Sequence, residues 1–101
     1  DFQYKNISSF PSINRDISIL LNKEINSSDV IDCIYDSCDK LLINAHVFDV
    51  YSGKELDKDS KSLAISLTFQ SDEKTLVDKE VDERLSVIVK QIKTKFNAIQ
   101  R

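Results

Sequence analysis

The sequence predicts an α+β sandwich, a four-stranded antiparallel sheet with two helices laid on one face. Three observations predict it. Apolar and polar residues alternate through residues 15–22, 42–51 and 61–70, as in half-buried strands, and residues 97–101 suit a short fourth. Two intervening stretches carry apolar residues at the three-and-four spacing of a helix. Each helix has a single apolar stripe, so both helices cover the same side of the sheet. The order strand, helix, strand, strand, helix, strand is the ferredoxin-like βαββαβ arrangement. Its second sheet face is left to solvent or to a partner.

At 101 residues the chain is one domain with a modest core. We divide it into an extended N-terminal segment packed on the domain, residues 1–14, and the domain proper, residues 15–101. Tyr4, Ile7 and Phe10 are spaced anchors for that segment, and Phe10-Pro11 fixes an extended approach. In the first strand Ile17, Ile19 and Leu21 alternate with Asp16, Ser18 and Leu20. Ser27 or Ser28 caps the first helix, with Asp29 in its first turn. Val30, Cys33, Ile34, Cys38 and Leu41 or Leu42 give its buried face, while Asp32, Asp36 and Asp39 point to water.

The second strand changes parity. Ile43, Ala45 and Val47 are apolar at odd positions, Phe48 and Val50 at even ones. A bulge between Val47 and Phe48 reconciles the two and puts Asn44, His46, Asp49 and Tyr51 on the outer face. Gly53 opens a charged loop. In the third strand Leu63, Ile65, Leu67 and Phe69 face the core, and Ser62, Ala64, Ser66 and Thr68 face out. Asp78 caps the second helix, whose stripe is Val81, Leu85, Ile88, Ile92 and Phe96. Lys90, Lys93 and Lys95 near its end suit the dipole.

Composition excludes several classes. Hydrophobic content of 41% and charged content of 31% suit a globular fold. No apolar run approaches the roughly 20 residues that span a bilayer, and no leader is seen, so a cytoplasmic location is expected. The chain starts at Asp1, as expected of a segment of a longer protein. Cys33 and Cys38 are read as small buried residues of a reduced compartment, since their spacing does not suit a metal pair. A net charge of −3 argues against non-specific nucleic-acid binding, and neither DNA nor a membrane is expected as a partner. A local basic rim of Lys54, Lys58, Lys61 and Arg101 stays open. There is no glycine-rich phosphate loop, metal cluster or nucleophile motif. The domain itself is expected to be non-catalytic and to hold no cofactor.

Four segments then carry a resemblance: Phe10-Pro11 with Arg15-Asp16-Ile17; Phe48-Asp49-Val50-Tyr51-Ser52-Gly53-Lys54; Lys61-Ser62-Leu63-Ala64 with Leu67-Thr68-Phe69; and Thr75-Leu76 with Asp78-Lys79-Glu80-Val81. In this order, over nearly the whole chain, they resemble the C-terminal ferredoxin-fold anticodon-binding domain of bacterial phenylalanyl-tRNA synthetase (phenylalanine–tRNA ligase) β subunits. The resemblance implies a tRNA-binding module. Its open face would take the anticodon stem-loop of phenylalanine tRNA, with Asp49, Tyr51 and Ser62 touching anticodon bases and Lys54, Lys61 and Arg101 at the rim. It implies a parent enzyme that is an ATP-dependent ligase, with ATP and Mg²⁺ held elsewhere. Further partners would be the other β-subunit domains and a catalytic α subunit. Arg15-Asp16 matches a family pair whose role is left between strand entry and RNA contact. Ser66 stands where relatives often carry a basic residue, which thins the phosphate rim.

The side-chain chemistry agrees. Tyr51 can stack a base, Asp49 can accept both donors of a guanine Watson–Crick edge, and Ser62 can donate or accept. The competing reading is a small-molecule regulatory domain of the same topology. It would favour a glycine-rich turn after the first strand, and residues 22–26 have no glycine. A metal chaperone would need a close cysteine pair there. A general RNA-recognition domain would need aromatics on the third strand.

Overall fold

A computed structural model of the chain describes residues 10–52 and 58–100. The elements are β1 (Ile13–Asn22), α1 (Ser27–Asp36), β2 (Leu42–Tyr51), β3 (Ser60–Phe69), α2 (Asp78–Phe96) and β4 (Ile99–Gln100). The strands form one sheet in the order β2-β3-β1-β4, with every neighbouring pair antiparallel. This is the expected ferredoxin-like sandwich. Most of the first 14 residues, with Tyr4 and Ile7, lie outside the described residues. β1 itself begins two residues earlier than expected, at Ile13.

The alternation of β1 and β3 sets the layers. Ile17, Ile19 and Leu21 of β1 meet Leu63, Ile65, Leu67 and Phe69 of β3 on the buried side. Their register is regular over ten residue pairs, from Ile13 against Phe69 to Asn22 against Ser60. Val30, Cys33 and Ile34 of α1 and Val81, Ile88, Val89 and Ile92 of α2 close the core from above. Leu85 and Phe96 pack at its margin. Burying each large side chain is worth about 1.5–3 kcal/mol, so this single layer carries most of the stabilisation.

Several local expectations are corrected. α1 stops at Asp36, because Ser37 caps it: the Ser37 N–H and hydroxyl both donate to the Cys33 carbonyl, at 3.0 and 2.6 Å. Cys38 therefore leaves the helix and is only half-buried, and its thiol is pushed above the ordinary cysteine value chiefly by burial. Asp39 does not simply face water. Its carboxylate accepts the Leu41 N–H at 3.1 Å, the side-chain turn aspartate favours, and it takes the Arg84 guanidinium of α2 at 3.1–3.3 Å. That guanidinium holds the Asp39 carboxyl below its usual range. The residues flanking the helices are Asn26 and Val77, one before each predicted cap. At α2 the Glu80 carboxylate accepts the Val77 N–H at 3.2 Å, which satisfies one orphan donor.

Three further contacts bear on the sheet. The Tyr35 hydroxyl of α1 accepts the N–H of Ala45 at 2.8 Å, on the outer strand β2. The turn after β1 is tied down by Lys23 N–H to the Asp59 carbonyl, 2.9 Å, and by the Lys61 ammonium to the Ile25 carbonyl, 2.5 Å. Asn97 ends α2 in the left-handed region, at φ 56° and ψ 36°, and turns the chain into β4.

Candidate nucleic-acid interface

The sheet face away from the helices is built by β2 and by the even positions of β1 and β3. Residues paired across antiparallel strands point to the same side, so the register lays out four rows. Asn44, Thr68 and Asn14 form the first; His46, Ser66 and Asp16 the second; Asp49, Ala64 and Ser18 the third. Tyr51, Ser62 and Leu20 form the fourth, extended by Ile99 of β4.

β2 reaches this arrangement only by two bulges. The register slips between Val47 and Asp49, which leaves Phe48 as the extra residue. That is the bulge the parity change predicted. A second slip lies between Leu42 and Asn44, where parity alone predicts none. Leu42 turns inward and is buried, Asn44 turns outward, and Ile43 between them is 50% exposed instead of joining the core. Each bulge lets two apolar-inward stretches of different parity share one strand. The result is a line of Asn44, His46, Asp49 and Tyr51 along the outer strand.

Asp49, Tyr51 and Ser62 therefore share one face, as expected. Their access differs. Tyr51 is 44% exposed and Asp49 is exposed. Ser62 keeps only 6% exposure between its larger row neighbours Tyr51 and Leu20, and its hydroxyl is shared with Ser18 at 3.3 Å. It forms the floor of the row and not a projecting contact. Elsewhere the polar groups are already oriented. Thr68 Oγ1 donates to Asn14 Oδ1 at 2.9 Å, and Asn44 Nδ2 lies 3.1 Å from His46 Nδ1.

The basic groups stand elsewhere. Lys61 has the parity of Leu63 and Ile65, so it leaves β3 on the helix side, and its ammonium ends on the Ile25 carbonyl. The structure does not bring it to the face of Asp49 and Tyr51. Arg15 also leaves on the helix side, where it pairs with Asp78 at 3.2 Å and Asp82 at 3.7 Å of α2. Its partner residue Asp16 lies exposed on the open face. The Arg15-Asp16 pair thus divides into a strut between layers and a face residue. Lys54 and Arg101 lie outside the described residues. Lys58 is exposed beside the start of β3, at the Tyr51 end of the sheet.

On the opposite layer an open groove of about 450 Å³ runs between α2 and β4, lined by Leu85, Val89, Lys90, Lys93 and Gln100 among others. Among the described residues no three metal-ligating side chains gather, and no described helix is long and apolar enough to cross a membrane.

A βαββαβ sandwich with one face bare of helices and a polar line on its outer strand defines a small binding module. The chain matches the ferredoxin-fold anticodon binding domain over residues 8–101, and it belongs to that family. Within it the chain is similar to phenylalanine–tRNA ligase β subunits. It is 40% identical over 95 residues to that of Bacteroides thetaiotaomicron, covering 94% of this chain and 12% of the relative. It is 38% identical over 97 residues to that of Mannheimia succiniciproducens, covering 96% and 12%. With that of Streptococcus mutans it shares 38% over 98 residues, covering 97% and 12%. The chain thus spans about an eighth of the length of these relatives.

Proposed function

We propose that the open sheet face reads the anticodon loop of phenylalanine tRNA, as one module of a phenylalanine–tRNA ligase β subunit. The observation that carries this reading is the Phe48 bulge, which aligns Asp49 and Tyr51 on the face that the helices leave uncovered. Single-stranded loops are read by stacking bases on aromatic rings and by hydrogen bonds to base edges. Tyr51 supplies the ring. The Asp49 carboxylate accepts from the two donors of a guanine edge and rejects a base that lacks them. Ser62 and Ser18 form the floor against which a base lies. Family membership and the names of the similar proteins support the same conclusion.

One stacked base is worth about 1–3 kcal/mol, and neither Lys61 nor Arg15 adds charge to this face. The isolated domain therefore binds the stem-loop weakly, and most of the affinity comes from the rest of the parent protein. ATP, Mg²⁺ and the ligation chemistry belong to that remainder and to a catalytic partner subunit. The groove between α2 and β4 gives the small-molecule reading little support, because it is open rather than an enclosed pocket.

The test is a titration of the protein with the phenylalanine anticodon stem-loop, with a stem-loop changed at the first anticodon base as control. Tighter binding of the native loop is expected, and Asp49→Ala should abolish the difference while the fold stays intact. Equal binding of both loops by the unmodified protein would overturn the reading.

A further inference from the structure

Beside Asp49, the line along β2 holds a second ring that the reading above does not use. His46 and Asn44 stand on the same face as Asp49 and Tyr51 only because Phe48 is inserted between the two pairs. Along β3 their partners are Thr68, Ser66, Ala64 and Ser62, evenly two residues apart. The four side chains therefore follow one another at steps of about 6.7 Å, and the two rings lie about 13 Å apart with Asp49 between them.

His46 is exposed and held. Asn44 Nδ2 is 3.1 Å from His46 Nδ1. The contact ties one edge of the ring to the Asn44 amide and leaves the other edge free of it. Nε2 lies on the side of the ring away from Asn44. The partner across the row is Ser66, too small to cover the ring. An exposed imidazole held at one edge by an amide, with only a serine across the row, is suited to stack a base and to hydrogen-bond an RNA group.

We infer that His46, positioned by Asn44, is a second nucleotide contact, taking the loop nucleotide next to the one Asp49 reads. The inference rests on the anticodon reading above and adds a specificity-determining position to it. Nucleotides splayed along β2 meet a ring, a carboxylate and a second ring in turn.

The test is a fluorescence anisotropy titration of the protein with the labelled phenylalanine anticodon stem-loop. It compares the unmodified protein with His46→Ala, His46→Phe and Asp49→Ala. His46→Ala should bind about 5- to 20-fold more weakly, the loss of one stacked base. His46→Phe should recover most of it, because the stack survives. Two further stem-loops carry an abasic site on one side or the other of the base Asp49 reads. With one of them the His46→Ala loss should vanish. Melting curves should coincide for all His46 variants, since the side chain is exposed. If His46→Ala binds like the unmodified protein while Asp49→Ala loses discrimination, the second contact is refuted and the anticodon reading stands. A loss that persists on both abasic loops, or that His46→Phe does not repair, also refutes it. If neither variant changes binding, the anticodon reading itself fails.

Discussion

Replacing Lys61 with methionine separates two roles that its residue type leaves open. Its ammonium donates to the Ile25 carbonyl and fastens the turn after β1 to the start of β3. Methionine keeps the aliphatic stem and removes the donor. A hydrogen bond from a charged group contributes about 1.5–3 kcal/mol. Both residues are half-buried, so water recovers part of the carbonyl's bonding, and we expect a loss of about 1–2 kcal/mol. For a domain of this size that lowers Tm by roughly 5–15 °C. Calorimetry or urea unfolding reads the loss directly. RNA affinity and its salt slope should not change, because the ammonium is on the helix side. A phosphate contact would instead reduce the salt slope by about one unit. An unchanged Tm together with a shallower salt slope would refute the structural role.

Two predictions concern the helix layer. Arg84 lowers the Asp39 carboxyl, so the pair stabilises the fold above the ordinary aspartate range, and that contribution fades as pH falls through the lowered value. Arg84→Ala should cost about 1 kcal/mol near neutral pH, and urea midpoints of the two proteins should begin to approach each other below about pH 4 and meet once the pH is below the lowered Asp39 value. Glu80 is also lowered, but chiefly by Lys74 at 2.7 Å, so it keeps its contribution in the variant. Asn97 holds φ 56°. Asn97→Ala should lower stability by about 1 kcal/mol and Asn97→Gly should be near neutral, read as shifts in Tm.

Much of this was legible in residue alternation. β1 and β3 obey a strict period of two, so Ile17 through Leu21 and Leu63 through Phe69 could be assigned to the core without a structure. The parity change in β2 showed the bulge at Phe48, because Val47 and Val50 cannot both face inward along a regular strand. The second bulge was hidden, since Ile43 has the residue type and the parity of a core position. Spacing alone overextends α1, because Cys38 continues the helical period, whereas Ser37 and Asp39 end the helix through side-chain bonds that spacing does not reveal. Asp39 and Arg84 are 45 residues apart, and nothing local pairs them. The residue type of Lys61 suggests the open face, although its parity with Leu63 points to the helix layer. Ser62 had the right parity, but its burial depends on Tyr51 and Leu20 on the two neighbouring strands.

The phenol of Tyr35 has a further effect at the border of the sheet. Among the described residues β2 has no neighbour on its far side, and it carries exposed Ile43, Phe48 and Val50. A border of that kind invites a strand from another molecule to zip onto it. By occupying the Ala45 amide, the hydroxyl withdraws one rung of that would-be zipper, and the two kinks at Ile43 and Phe48 spoil its pitch. The same irregularities that aim the side chains outward thus also help keep copies of the protein apart.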